Sequence, residues 1–221
     1  MSKQADQNYW GNGAVYHALL ALLLLLMALH PVKAGDGVVT RITLAAILAA
    51  CIWAVARERR LLAAALLLGV PAIALVFPVS GPAGIVGPAL AIAMLVFICI
   101  VFLSRIAGHP VVTAGTISAS LVVYLLLGVI WYLAYSLLER VSPGSFYGVA
   151  ASDGVATSPE LYYFSFVTLT TLGYGDIGPL SDHARSLAIG EAVIGQLYLV
   201  VLVASLVGMY LAGRQPQQGP E

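Results

Sequence analysis

The stretch Thr170-Thr171-Leu172-Gly173-Tyr174-Gly175-Asp176 holds the residue types and spacing that could do chemistry. Two glycines separated by one residue permit left-handed backbone angles that other L-residues avoid. Successive carbonyls can then point the same way instead of alternating as in a strand, giving a ladder of oxygens that suits a dehydrated cation. Thr171 adds a hydroxyl at one end and Asp176 a negative charge at the other. One chain supplies one wall of such a ladder, so several copies must surround a common axis before an ion exchanges its water for carbonyls. A further carboxylate, Glu191, lies inside an apolar run, where an ionisable group is by default paired or functional.

The composition dictates the solvent around these residues. Of 221 residues, 61% are hydrophobic and 9% charged, against roughly a quarter charged in an ordinary soluble domain. A soluble fold of this size cannot hide that much apolar surface, so the chain reads as an integral membrane protein in a lipid bilayer. Ten Lys plus Arg balance ten Asp plus Glu, which leaves no electrostatic footprint for nucleic acid. Cys51 and Cys99 sit in apolar runs and read as small core residues. His17, His30, His109 and His183 are scattered, and no catalytic or phosphate-cradling pattern is present, so neither an enzyme nor an organic cofactor is expected.

A helix needs about 20 apolar residues to cross the hydrocarbon core. Six runs approach this length: Ala14 to His30, Val38 to Val55, Leu61 to Phe77, Ala83 to Ser104, Val112 to Leu138 and Arg185 to Leu211. Short connections make neighbours antiparallel. With the N-terminus inside, six cations (Lys3, Arg57, Arg59, Arg60, Arg105, Arg214) fall on the cytoplasmic side and four (Lys33, Arg41, Arg140, Arg185) outside, as the positive-inside rule favours. Both termini are then cytoplasmic in a multi-pass protein of the cell membrane, and the alanine- and leucine-rich spans fit a bacterial inner membrane. The acidic residues between Leu138 and Arg185 give a negative outer mouth. Val32-Lys33-Ala34 behind the first run has the outline of a cleavage site, but the single Lys3 and the long apolar stretch favour a retained span.

Between the fifth and sixth runs, Ser158 suits an N-cap, Pro159 the first helical position and Glu160 the positive end of the helix dipole. The spacing predicts a helix from there to near Thr170. A dozen residues reach roughly 18 Å, half a membrane, so the segment must be re-entrant. Non-helical backbone at that depth is tolerated only where protein buries it or water touches it.

On these residues the chain resembles the potassium channel superfamily of tetrameric pore-loop channels, whose Thr-Val-Gly-Tyr-Gly signature appears as Thr171-Leu172-Gly173-Tyr174-Gly175 followed by Asp176. The resemblance covers roughly Val112 to Leu211. It implies an all-α membrane protein with six transmembrane helices, a re-entrant pore helix and filter between the fifth and sixth, and a homotetramer. It divides the chain into a four-span domain (1–110), a pore domain (111–213) and a disordered polar tail (214–221) without a regulatory domain. It further implies K⁺ ions held by carbonyls of Thr171, Leu172, Gly173 and Tyr174, with Gly175 completing the filter and Thr170, Asp176 and Glu191 as filter support or outer mouth. The implied function is passive, selective K⁺ conduction; a weakly selective cation channel and a K⁺ transporter subunit are the alternatives, and accessory subunits stay open.

Three departures from the family pattern stand out. Leu172 replaces the usual Val, Val167 stands where some members carry a carboxylate, and Phe164 stands where many carry a Trp that braces the outer filter. Without those two bonds the outer filter is expected to be less firmly held. Glu191 is expected to face a pore-helix hydroxyl, Ser165 or Thr168, as a hydrogen-bond anchor, the rival reading being a pH-sensitive brace. Gly195 aligns with the family's gating hinge, and close helix packing is its other reading. Gln196, Leu199, Val203 and Val207 align with cavity-lining positions. Trp131, Tyr132 and Tyr135 read as interfacial aromatics, and Ser142 to Thr157 as a turret loop. The fourth run carries no cation before Arg105, which reads as a snorkelling anchor. Four Arg105 side chains crossing 100 mV would supply about 9 kcal/mol, short of the tens that steep voltage gating uses. Weak intrinsic voltage dependence is therefore expected in gating-charge recordings, and a steep, saturating gating charge would contradict it.

Overall fold

Apolar runs in this chain form helices because lipid offers backbone groups no partners, and a helix satisfies them internally. A computed structural model describes residues 14–29, 38–76, 82–108, 113–149 and 159–212. It contains α1 (Ala14–Leu29), α2 (Val38–Ala54), α3 (Arg59–Val76), α4 (Ala83–Ala107), α5 (Ala114–Val141), β1 (Phe146–Tyr147), α6 (Pro159–Leu169), β2 (Gly178–Pro179) and α7 (Asp182–Ala212). Helices α4, α5 and α7 are long and apolar enough to cross a membrane, while α1 and α2 are apolar helices of 16 and 17 residues. The Val32-Lys33-Ala34 site, the Ser158 cap, most of the far end of the turret and the 214–221 tail lie outside the described residues.

Helix ends follow local chemistry. Thr113 caps α5, its hydroxyl accepting from the Thr116 amide at 3.1 Å while the Thr113 amide donates to the Thr116 hydroxyl at 3.4 Å. Ser181 caps α7 through the Ala184 amide at 3.2 Å, so this helix begins at Asp182, three residues before the expected start.

Alternating helix directions are fixed by contacts that gather distant ends in one layer. Arg105, near the end of α4, donates to the Tyr16 hydroxyl near the start of α1 at 2.8 Å and to Glu58, between α2 and α3, at 2.5 Å. His17 and Ser118, near the start of α5, lie 2.7 Å apart. Arg105, read from the sequence as a snorkelling anchor, is also ion-paired with Glu58 and clamps these ends together.

Helices α3, α4 and α5 pack in series, α1 closes against α5, and α6 and α7 pack on α5 and on each other. Half of the apolar window of α4 and of α5 is buried, against 11% of that of α7. Ile189, Val193, Leu197, Val200 and Val201 therefore stand exposed along α7. Tyr132 and Tyr135 correct the sequence expectation: both are fully buried, packed edge-on against Tyr162 and Phe146, because α6 covers the face of α5 that carries them.

The α5–α6 crossing has room only for glycine at position 128, where an added Cβ would lie 2.6 Å from the Phe166 ring. Gly128→Ala is expected to cost about 1–3 kcal/mol by overpacking. A lowered thermal unfolding midpoint in detergent is the expected readout, and an unchanged midpoint would contradict this packing.

Candidate functional site

Helix α6 is 11 residues long, about 17 Å at 1.5 Å per residue, which matches the half-membrane helix expected from the sequence. It stops where its last carbonyls are claimed by the following residues. The Thr170 hydroxyl back-bonds to the Phe166 carbonyl at 2.7 Å. The Thr171 amide donates to the Thr168 carbonyl at 3.0 Å, and the Leu172 and Gly173 amides share the Val167 carbonyl at 2.9 and 3.3 Å. These bonds turn the chain back on itself and leave the carbonyls beyond them without helical partners.

Beyond the turn the backbone alternates in hand. Thr171, Gly173 and Gly175 have φ of +60°, +58° and +77°, while Leu172 and Tyr174 keep negative φ. A strand of uniform hand points its carbonyls alternately to two sides, and alternating the hand cancels that alternation. A Cβ added at Gly173 or Gly175 would meet nothing within 4 Å, so glycine is required there for its angle and not for space. Thr171 is β-branched and still left-handed, the sole non-glycine with positive φ among the described residues. Such strain persists only where the surroundings over-determine it, and it collects at functional positions. Residues 171–176 are exposed on the single chain, with Tyr174 67% exposed.

The exit limb is tied to the turret. Phe146 pairs with Pro179 and Tyr147 with Gly178 in a two-residue antiparallel ladder. The Tyr147 ring lies on Gly178, where a Cβ would meet it at 2.5 Å, and its hydroxyl donates to the Gly175 carbonyl at 3.3 Å. The Ser145 carbonyl accepts from the Leu180 and Ser181 amides at 2.7 and 3.2 Å. Glu139 at the end of α5 accepts from the Gly144 and Ser145 amides at 2.6 and 2.9 Å. Phe164 is buried among Tyr135 and Phe146, with ring centroids 5.1 and 5.6 Å away. The outer segment expected to lack a brace therefore has one, supplied by Tyr147. Sequence reasoning missed it because Tyr147 sits in a two-residue strand 28 residues from Gly175, too short for a periodic pattern to mark its face.

Behind α6 lies Glu191, fully buried on α7. Its Oε2 accepts from the Tyr135 hydroxyl at 2.5 Å and its Oε1 lies 2.6 Å from Ser165 Oγ, which is also 2.7 Å from the Gly128 carbonyl. Of the two hydroxyls expected to meet it, Ser165 does; Thr168 is not among its hydrogen-bond partners, and Tyr135 was not foreseen. One turn on, a Cβ at Gly195 would lie 3.0 Å from the Leu169 carbonyl oxygen, and α7 continues through it as an unbroken helix. This close approach agrees with the close-packing reading of Gly195. Tyr124 donates to the same Leu169 carbonyl at 3.2 Å and stacks on Tyr198. Gln196, Val203 and Val207 are exposed on α7 and Leu199 is half-buried.

A helix of half-membrane length, a reversing segment and two long apolar helices surround this site, and residues 119–212 match a family described as ion channel. The chain is 34% identical over 93 residues to two pore potassium channel c of Oryza sativa subsp. japonica, covering 41% of this chain and 18% of that protein. It is 31% identical over 119 residues to the voltage-gated potassium channel Kch of Escherichia coli, covering 54% and 26%. Two pore potassium channel a of Oryza sativa matches at 34% over 97 residues, covering 43% and 24%. The chain thus spans about a quarter or less of the length of these relatives. No solved structure matches it significantly. Its second half is thus similar to ion channels, potassium channels among them.

Tyr147→Phe removes the bond to Gly175 and keeps the ring on Gly178. Hydrogen exchange across residues 173–176 is expected to quicken about two- to tenfold, the range for one lost hydrogen bond. Unchanged exchange would show that this hydroxyl does not hold the segment.

Proposed function

We propose that this protein is a potassium-selective channel conducting K⁺ passively across the membrane, with residues 171–175 as its filter. The observation that carries this reading is the alternation of backbone hand at Thr171, Leu172, Gly173, Tyr174 and Gly175. Carbonyls of Thr171 to Tyr174 turned to one side, with the Thr171 hydroxyl at the inner end, replace the water around a K⁺ ion when several copies face one another. Thr170 and Asp176 flank the filter, and Glu191 supports α6 from behind.

A homotetramer completes the oxygen rings. The exposure of α7, at 11% burial in a helix otherwise fit for a membrane, supports an apolar face reserved for other copies and for the cavity they enclose. Six membrane crossings with both termini cytoplasmic agree with the single layer shared by Tyr16, Glu58 and Arg105 and with the cations around it. The first four helices form a scaffold joined to the pore domain through α4 and α1 against α5.

Reconstitution of purified protein into planar bilayers tests the reading. Wild type is expected to pass K⁺ with a reversal potential following the K⁺ gradient in mixed K⁺ and Na⁺. Gly173→Ala places a side chain at φ +58°, and this is expected to abolish the current while assembly persists. Equal K⁺ and Na⁺ permeability would favour a weakly selective cation pore, and undiminished current in Gly173→Ala would remove the conduction path from this segment.

A further inference from the structure

The contacts around Glu191 can be counted in protons. Three short oxygen–oxygen contacts link Tyr135, Glu191, Ser165 and Gly128: hydroxyl to Oε2 at 2.5 Å, Oε1 to Oγ at 2.6 Å, and Oγ to the backbone carbonyl at 2.7 Å. Each contact needs one hydrogen between its oxygens, because two lone pairs facing each other at such distances repel. Tyr135 and Ser165 each bring one hydrogen, and the Gly128 carbonyl brings none. The third must come from Glu191. With the carboxyl ionised, Ser165 can donate to Oε1 or to the Gly128 carbonyl, and one contact is left with no hydrogen.

A second observation points the same way. Glu191 is 0% exposed, and no Lys, Arg or His pairs with it among the described residues. The other titratable groups facing it are Tyr135 and Tyr124 of α5, neither of which carries positive charge. A carboxylate without countercharge is among the costliest groups to bury, whereas a carboxylic acid with all its bonds satisfied is not.

We infer that Glu191 is a neutral carboxylic acid that donates through Oε1 to Ser165, which in turn donates to the Gly128 carbonyl, while Tyr135 donates to Oε2. This is the one polarity that satisfies every member. It makes Glu191 a positioning residue: a directed hydrogen-bond chain running from α7 through the middle of α6 into α5 fixes the helix whose last carbonyls seat the filter. The inference deepens the proposed filter-support role and rests on that reading for its effect on conduction, but not for the protonation itself.

Glutamine is the discriminating substitution. Its amide N–H can donate to Ser165 and its carbonyl can accept from Tyr135, so Glu191→Gln reproduces the acid and cannot reproduce a carboxylate. In infrared spectra of the purified full chain at neutral pH, wild type is expected to show a protonated-carboxyl carbonyl band that vanishes in Glu191→Gln and shifts in Ser165→Ala. In bilayers, Glu191→Gln is expected to keep the stability of its current within about twofold of wild type. Glu191→Ala, which strands Ser165 and Tyr135, is expected to speed decay on the order of tenfold or more. Absence of the protonated band, or a Glu191→Gln protein that decays as fast as Glu191→Ala or fails to assemble, would overturn the inference. The spectrum needs no ion flow, so a protein that shows the band but conducts nothing would sink the proposed function and leave the protonation standing.

Discussion

Backbone polar groups at membrane depth must be satisfied, and the stretch from Thr171 to Gly175 leaves its carbonyls without intrahelical partners. That constraint organises the rest of the molecule. Helix α6 is short because its end must lie where those carbonyls are presented, and its last turn is consumed in reversing the chain. The left-handed Thr171 is strained, and the strain is sustained by amides tied back to Thr168 and Val167 and by the exit limb held in register with β1.

The elements around residues 171–175 act as a frame with two sides. On the exit side, Glu139 shapes the turn after α5, Ser145 captures the start of α7, and Tyr147 reaches back to Gly175. Behind α6, Tyr124 holds its final carbonyl, and the Tyr135, Glu191 and Ser165 chain holds its centre. Glycines 128 and 195 let α5 and α7 come close enough for these bonds to form. The first four helices contribute no side chain to this frame among the hydrogen bonds described. They meet α5 through α4 and α1, and Arg105, Tyr16 and Glu58 tie their ends together.

Much of this was readable beforehand, for identifiable reasons. All six long apolar runs are helices, because run length in a nearly charge-free sequence leaves few other solutions. The half-length helix and its end were readable from Pro159, Glu160 and the glycines. The left-handed turns at Gly173 and Gly175 were readable because glycine adopts those angles without strain. Burial was not readable: Tyr132 and Tyr135 look interfacial by position, yet α6 covers them. The partners of Arg105 were not readable either, because Tyr16 and Glu58 lie 89 and 47 residues away.

From the sequence alone came the apolar character, the helical runs, the half-length helix and the glycines that permit a left-handed backbone, since each depends on local composition and spacing. Only the tertiary structure decided which groups brace them. Tyr147 and Gly175 are separated by 28 residues, Tyr135 and Glu191 by 56, and Ser165 and Glu191 by 26. Hydrogen bonds over such separations depend on how helices are placed in space, and no local pattern in the chain encodes that placement.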